Sequence, residues 1–180
     1  MVAKENRTLG FVRRSIKTGS RKTKDLAYKA LVRPLLEYAA TVWSPNQKVF
    51  IDSIERVQRR AARYVCNIYD PYASVRNMLT ELKWESLEQR RLKAIITMGY
   101  KITHQLVAVS ATQLVPASKI TRGHPSQYRQ ISTRTNYYKY SFFPTFITLW
   151  NALPEPTTLT PDLERFKASL AILQISQSRN

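Results

Sequence analysis

Two histidines, twelve carboxylates and one cysteine are the side chains here that could do acid–base, metal or nucleophilic chemistry. Such chemistry needs them gathered at particular spacings. H-E-x-x-H sets two imidazoles on one helix face beside a base, and two-metal phosphoryl transfer needs clustered carboxylates. Neither His104 nor His124 lies in such a pattern. His104 follows an apolar helical stretch and reads as structural. His124, in Thr121-Arg122-Gly123-His124-Pro125, reads as part of a basic turn open to phosphate or backbone contact. Asp52 and Glu55 stand three apart on a basic helix, where pairing with Lys48, Arg56 or Arg59 is the simpler expectation. Cys66 is alone, which excludes an intrachain disulfide or a Cys-based zinc site and predicts a buried thiol. No G-x-S-x-G, phosphate-binding loop or Gly-rich fingerprint occurs. These residues predict no catalytic centre, and no metal or cofactor in this chain.

Charge does form a pattern. The 180 residues carry 29 Lys+Arg against 12 Asp+Glu, a formal net charge of +17. Between Glu88 and Glu155 there is no acid, while nine cations occur: Arg90, Arg91, Lys93, Lys101, Lys119, Arg122, Arg129, Arg134 and Lys139. The N-terminal stretch sets Arg7, Arg13, Arg14, Lys17, Arg21, Lys22 and Lys24 against Glu5 and Asp25. Any single charge reads most simply as a solvated side chain. A surface this one-sided predicts a polyanion, bound through phosphate neutralisation and counterion release. Arginine suits that role because its guanidinium fork binds phosphate oxygens in pairs. Aromatics interleave the later charges: Tyr128, Tyr137, Tyr138, Tyr140, Phe142 and Phe143. Beside arginine they could stack unpaired bases. Phe142, Phe143 and Trp150 read instead as packing onto a helical core, and Tyr137 and Tyr138 are open to both roles.

The elements that must position these groups are helices. Apolar spacing predicts one from Lys4 to Lys17 and a second from Thr23 to Trp43. The second carries two adjacent stripes, Tyr28-Leu31-Leu35-Tyr38-Val42 and Val32-Leu36-Ala39-Trp43, which predict a largely surrounded helix bent at Pro34. A third, capped by Asn46, runs to Ile68. It places Phe50, Ile54, Val57, Ala61, Tyr64 and Ile68 on one face and Arg56, Arg59, Arg60 and Arg63 on the far side. A short helix spans Ser74 to Leu82, and Ser86 with Gln89 forms a capping box for a fifth. The fifth carries Leu92, Ile95, Gly99, Ile102 and Leu106 on one face, with Gly99 admitting a close neighbour. From about Val109 the periodicity fails at Pro116, Gly123, Pro125 and Pro144. A short helix at Phe146–Leu153 and a last one opened by Thr160-Pro161 and running to Ile175 complete the reading.

The predicted fold class is therefore mainly α. A helical, thumb-like bundle over residues 1–108 is followed by a loop-rich basic extension over 109–180 with a terminal helix. A hydrophobic fraction of 43% supports a packed core and excludes a disordered basic tail. No apolar run is long enough to span a bilayer, and no secretory h-region is visible, so no membrane partner is expected.

Several blocks, taken together, resemble a known family. They are Asn6 to Phe11 (NRTLGF), Leu31 to Pro45 (LVRPLLEYAATVWSP), Glu55 to Val65 (ERVQRRAARYV), Leu82 to Arg91 (LKWESLEQRR) and Tyr137 to Pro154 (YYKYSFFPTFITLWNALP). In this order and spacing they are similar to the C-terminal part of the reverse transcriptase of non-LTR (LINE-type, jockey/CR1-like) retrotransposons. The similarity spans nearly the whole chain. It implies a thumb domain and the extension downstream of it, gripping the RNA template and growing cDNA duplex during target-primed reverse transcription. The palm's Y-[AV]-D-D motif, its upstream Asp, the endonuclease and the Cys/His knuckle of some relatives are not in this sequence. Tyr38-Ala39-Ala40-Thr41 is only an echo of the first. The resemblance thus implies a non-catalytic fragment of an RNA-directed DNA polymerase, with Mg2+ in a palm that this chain lacks. Met1 would then be an internal methionine or the start of a decayed copy. Its implied partners are RNA and DNA as template–primer duplex and the parent's palm and fingers, and its place of action is nuclear if it serves target-primed integration.

Within the family-like blocks, Arg59, Arg60 and Arg63 match the basic run of the third helix, and Arg90 and Arg91 that of the fifth. These are the first candidates for backbone contact, followed by Arg13, Arg14 and Lys17, with Arg134, Tyr137 and Lys139 in the extension. Some of these arginines could instead bridge helices to Glu37 or Glu81. The alternative from another class is a helical protein-interaction scaffold with a basic surface. A sequence-reading helix-turn-helix is weaker, since no short helix pair with a polar recognition face stands out.

Overall fold

The computed structural model describes residues 2–118 and 123–175. Lys119, Ile120, Thr121 and Arg122 therefore lie outside the described residues, with Met1 and 176–180. The chain is mainly helical. It comprises α1 (Ala3–Ser15), α2 (Arg21–Ala27), a π-helical turn (Tyr28–Val32), α3 (Arg33–Glu37), α4 (Lys48–Cys66), α5 (Val75–Glu81) and α6 (Leu87–Thr103). Then follow α7 (Asn136–Lys139), α8 (Phe142–Asn151), α9 (Glu155–Thr158) and α10 (Leu163–Ile172). No described helix is long and apolar enough to cross a membrane. Two compact units form, one from Met1–Ala39 and Pro45–Arg90, the other from Ala40–Ser44 and Arg91–Asn180. The division expected at 108/109 falls inside the second.

In the first unit α1 packs on the π-turn and α4, and α4 packs on α2 and α5. The predicted single helix from Thr23 to Trp43 is broken up. Pro34 has no N–H for the Ala30 carbonyl, and its ring would crowd that carbonyl in an α-helix. The chain widens instead, with the Arg33 N–H bonding the Tyr28 carbonyl five residues back. Tyr38 then turns extended and Ala39 enters the left-handed region at φ 51°, which ends α3 at Glu37. Ala40, buried in the second unit, marks the packing that overrides helix propagation here. The buried face is Tyr28, Val32 and Leu36, whereas Leu31, Tyr38 and Val42 are exposed, so the expected surrounding of this segment is not found.

Helix α4 buries Ile51, Ile54, Val57, Ala61, Tyr64 and Val65 and exposes Arg56, Arg59 and Arg60, as its periodicity predicts. Phe50 and Ile68, at the ends of the predicted stripe, are exposed. The helix begins after Gln47, with no side-chain cap, rather than at Asn46. Its C-terminus closes through Asn67 in the left-handed conformation (φ 56°), whose N–H bonds back to Tyr64. Ser86 caps α6 through the Gln89 N–H, as expected, and the short helix expected from Ser74 is α5, with Ser74 as its cap.

Glu55 is a correction. Its carboxylate, 9% exposed, accepts from the Glu88 backbone N–H at 2.8 Å. A buried acid thus serves the positive end of α6 from 33 residues away, rather than an ion pair along α4. Asp52 does pair along the helix, with Arg59 at 3.8 Å.

Tyr28 stacks on Trp84 at 4.2 Å, and the Trp84 indole N–H donates to Asp25 at 2.8 Å. The Tyr28 hydroxyl is buried with no hydrogen-bond partner among the described residues, and burial pushes its phenol well above the ordinary tyrosine value. A phenol raised in the folded state stabilises fully below the unfolded value, near 10, and that stability is lost as pH rises beyond it. Alkaline titration of folding should therefore show a falling limb above about pH 10. Tyr28→Phe should make that limb shallower, with burial-raised Tyr64, Tyr100 and Tyr128 retaining the rest, and leave stability at pH 7 equal or slightly higher, because it removes an unsatisfied buried group.

The second unit is built around α8. Phe142, Phe146 and Trp150 form its stripe, and the Phe146 ring lies where a Cβ on Gly99 of α6 would be, which realises the predicted close approach. Tyr100 stacks on Phe166 of α10 at 4.2 Å and donates to the Thr160 carbonyl at 2.9 Å. The expected helix at Phe146–Leu153 starts earlier, at Phe142, and α7 and α9 add helical turns the extension was not expected to have. The last helix opens two residues late, because Asp162 rather than Pro161 sets its start by accepting from the Arg165 N–H at 3.0 Å. An irregular segment is clasped to α8 by Asn151, whose side chain accepts from the Tyr128 N–H and donates to the Tyr128 carbonyl.

Candidate nucleic-acid interface

Four cations of the first unit, three exposed and one buried, line one concavity. Arg13, Arg14 and Lys17 come from the last turn of α1 and the residues after it, Lys24 from α2, and Tyr64, Asn67 and Tyr69 from the end of α4 and beyond. They enclose about 370 Å³, and none of the described lining residues is acidic. Tyr64 fixes the local geometry. Its hydroxyl donates to the Ile16 carbonyl at 2.7 Å, tying the end of α1 to α4 and satisfying a carbonyl left free by helix termination. Its hydroxyl also stands 3.4 Å from the Val12 carbonyl, and burial raises its phenol. The Arg13 guanidinium lies 5.9 Å from the Tyr69 ring centroid.

Lys24 is the residue that pattern reading undervalued. It is only 7% exposed, and its ammonium stands 5.1 Å from the Tyr64 ring centroid. Among the described residues no carboxylate pairs with it; Asp25, next to it, is taken by Lys29 at 2.8 Å and by Trp84. The signal lay in spacing: Lys24, Tyr28, Val32 and Leu36 recur every fourth residue on the buried side.

The plain account of these cations is compensation of helix dipoles, since α1 and α4 both end here. Each C-terminus carries about half a negative charge. Two of them offset roughly one of the four lysine and arginine charges. The surplus is an anion-attracting field in a partly enclosed space.

The other sequence-predicted residues are dispersed. Arg59 and Arg60 are exposed on the outer face of α4, with Arg59 near Asp52. Arg63 donates to the Asp70 carbonyl at 3.3 Å, which anchors the turn after α4. Arg90 is a structural partner: it forks onto Glu37, with one bond at 3.1 Å and a shorter one, and this carboxylate holds its proton more firmly. Arg91 is 2% exposed and is withdrawn from the surface. Arg21 pairs with Glu81, whose carboxyl it lowers, and approaches Cys66, half-buried, whose thiol is pushed up by burial.

In the second unit Arg134, Tyr137 and Lys139 stand on or just before α7, all exposed, with Tyr137 at 95%. Lys139 lies 5.6 Å from the Tyr140 ring centroid. Trp150 is buried and Phe142 and Phe143 are half-buried, so the packing role read for these three is what the structure shows. His124 is not a surface ligand: it is 1% exposed, and its Nε2 lies 2.9 Å from the Trp150 carbonyl. His104 stacks on Tyr100 and bonds its carbonyl. Among the described residues no three His, Cys, Asp or Glu gather in a way that could hold a metal ion.

No protein-family model, no curated protein and no solved structure matches this chain.

Proposed function

We propose that this chain is a non-catalytic nucleic-acid-binding segment, a thumb-like unit and basic extension of LINE-type polymerase ancestry. It holds an RNA template–cDNA duplex by its phosphate backbone during target-primed reverse transcription. The observation that carries the reading is the acid-free cation cluster of Arg13, Arg14, Lys17 and Lys24, set at the end of α1 and on α2, with the end of α1 tied to α4 by Tyr64. Rigidly placed cations without a base-reading element suit a grip that must track any sequence. Exposed Arg59 and Arg60 in the first unit, and Arg134, Tyr137 and Lys139 in the second, extend the same chemistry. Arg90 and Arg91 take no part in it. On this reading the catalytic carboxylates and their Mg2+ belong to the palm of the parent polymerase, and the chain by itself is no enzyme.

The full chain should bind RNA–DNA hybrids of unrelated sequence with affinities within a few-fold of one another, measured by fluorescence anisotropy. A preference above about 10³ for one sequence would instead indicate base readout. Failure to bind any hybrid at low salt would favour the scaffold reading. That reading has its own support in an apolar cleft of about 270 Å³ in the second unit, lined by Thr41, Val42, Met98, Ile102, Val109, Phe142 and Phe143.

A further inference from the structure

We propose that the concavity of the first unit is a site for a phosphate monoester, the dianionic end group of a nucleotide, rather than for an internal phosphodiester. The inference rests on the backbone-binding reading and gives one of its sites a definite occupant. Three observations carry it.

The first is shape. Phosphodiesters on a duplex lie along a convex ridge and are met by exposed side chains, as Arg59 and Arg60 could meet them. A space of about 370 Å³ bounded by two helix ends and two tyrosines lies within the range of small-ligand sites. A strand end or a mononucleotide fills a concavity of this size, whereas a duplex ridge meets it only at the rim.

The second is charge. Four cations line it, and the two helix C-termini offset about one of them. A single phosphodiester carries one negative charge, whereas a terminal phosphate carries about 1.5 to 2 at neutral pH and three acceptor oxygens. The dianion matches the remaining surplus better.

The third is Lys24. Removing an ammonium from water is costly unless an anion meets it. Lys24 is more than nine-tenths buried, lines the cavity and faces the Tyr64 ring, which compensates a cation only in part. Arg13 and Arg14, by contrast, are exposed and can close over a bound group from outside. Tyr69, half-exposed beside Arg13, lines the same space and is available to the sugar or base behind the phosphate.

Two sources could supply the monoester, a 5′-phosphorylated strand end or a free mononucleotide, and the test separates them. The full chain is titrated with a 5′-phosphorylated oligonucleotide and with a 5′-hydroxyl oligonucleotide two nucleotides longer, which matches its charge. AMP and inorganic phosphate are titrated separately by calorimetry. The expected result is a preference for the 5′-phosphorylated strand on the order of tenfold, about 1.4 kcal/mol. That preference should vanish in Arg13→Gln/Arg14→Gln, whose substitutions are at exposed positions. It should also fall in Lys24→Met, checked for folding by its circular dichroism melt. Equal binding of the two strands, with AMP binding lost in Arg13→Gln/Arg14→Gln, would support the site with the free mononucleotide as its ligand. Equal binding of the strands and none of AMP or phosphate would overturn the proposal while leaving backbone binding intact. No binding of any oligonucleotide or nucleotide would overturn both.

Discussion

Raising salt from about 50 to 200 mM should weaken binding of this chain to an RNA–DNA hybrid by about 10³- to 10⁵-fold, if it meets 6–10 phosphates. The expectation follows from placement as much as from the net charge of +17. Several cations are already paired or withdrawn: Arg90 with Glu37, Lys29 with Asp25, Arg21 with Glu81 at the surface, and Arg91 by burial. Those contribute less to counterion release than Arg13, Arg14, Lys17 and Arg60, which are exposed, and Arg59, which is exposed and only loosely paired with Asp52 at 3.8 Å. The informative variant is Arg13→Gln/Arg14→Gln/Lys17→Gln. On a log–log plot of affinity against salt, the slope should become shallower by about 0.9 for each phosphate contact removed. Loss of favourable charge at the end of α1 should cost only about 0.3–1 kcal/mol per residue in stability, so folding can be checked independently by urea titration. An unchanged slope would remove the concavity from the interface. A wild-type affinity indifferent to salt would sink the phosphate-backbone reading altogether.

The largest stability effect is expected at the Gly99–Phe146 contact in the second unit. Phe146 is fully buried among Phe142, Tyr128 and Trp150, so Phe146→Ala should cost about 3–5 kcal/mol through lost transfer energy and the cavity left behind. Gly99→Ala should cost about 1–3 kcal/mol by overpacking, because the added methyl would occupy the ring's position and the ring is held on its other sides. The diagnostic result is non-additivity. In Gly99→Ala/Phe146→Ala the new methyl meets a vacated space, so the double variant should be more stable than the sum of the single losses predicts. Urea titrations of all four proteins measure this. Strict additivity would mean that the pair is not in the contact described.

Where local chemistry alone decides, the sequence was a good guide. Ser74 and Ser86 with Gln89 set helix starts through their own hydroxyls, and both starts are where those residues predict. The α4 arginine face is legible because nineteen residues repeat one period without a Gly or Pro. The region from Tyr28 to Trp43 was not legible, because three influences compete there: the Pro34 ring, the left-handed Ala39, and the burial of Ala40 in a different unit. Only the first announces itself in sequence. Glu55 was misassigned for a related reason: its partner is a backbone N–H 33 residues away, which no spacing along α4 reveals.

In the candidate site the error was to treat adjacent cations as equivalent. Arg90 and Arg91 form one basic run in the sequence, yet Arg91 stands four residues before buried Ile95 and four after buried Leu87, on the inward face of α6. Lys24 has the same signature, four residues before buried Tyr28. A cation in phase with a buried stripe is either a structural partner or a ligand-facing group, and tertiary placement decides which. For Lys24 it is the concavity of α1 and α4.

The wide turn at Tyr28–Val32 bears on this directly. In a straight α-helix, steps of four residues precess by 40°, so Leu36 would stand roughly 120° around the axis from Lys24. The i→i+5 turn slows that rotation, and Lys24, Tyr28, Val32 and Leu36 all remain buried. Pro34 therefore acts as an angular ratchet: by denying the regular bond, it sets the azimuth at which the Lys24 charge leaves the helix. The direction of a cation in one turn is in this way dictated by a ring ten residues later that does not itself line the concavity.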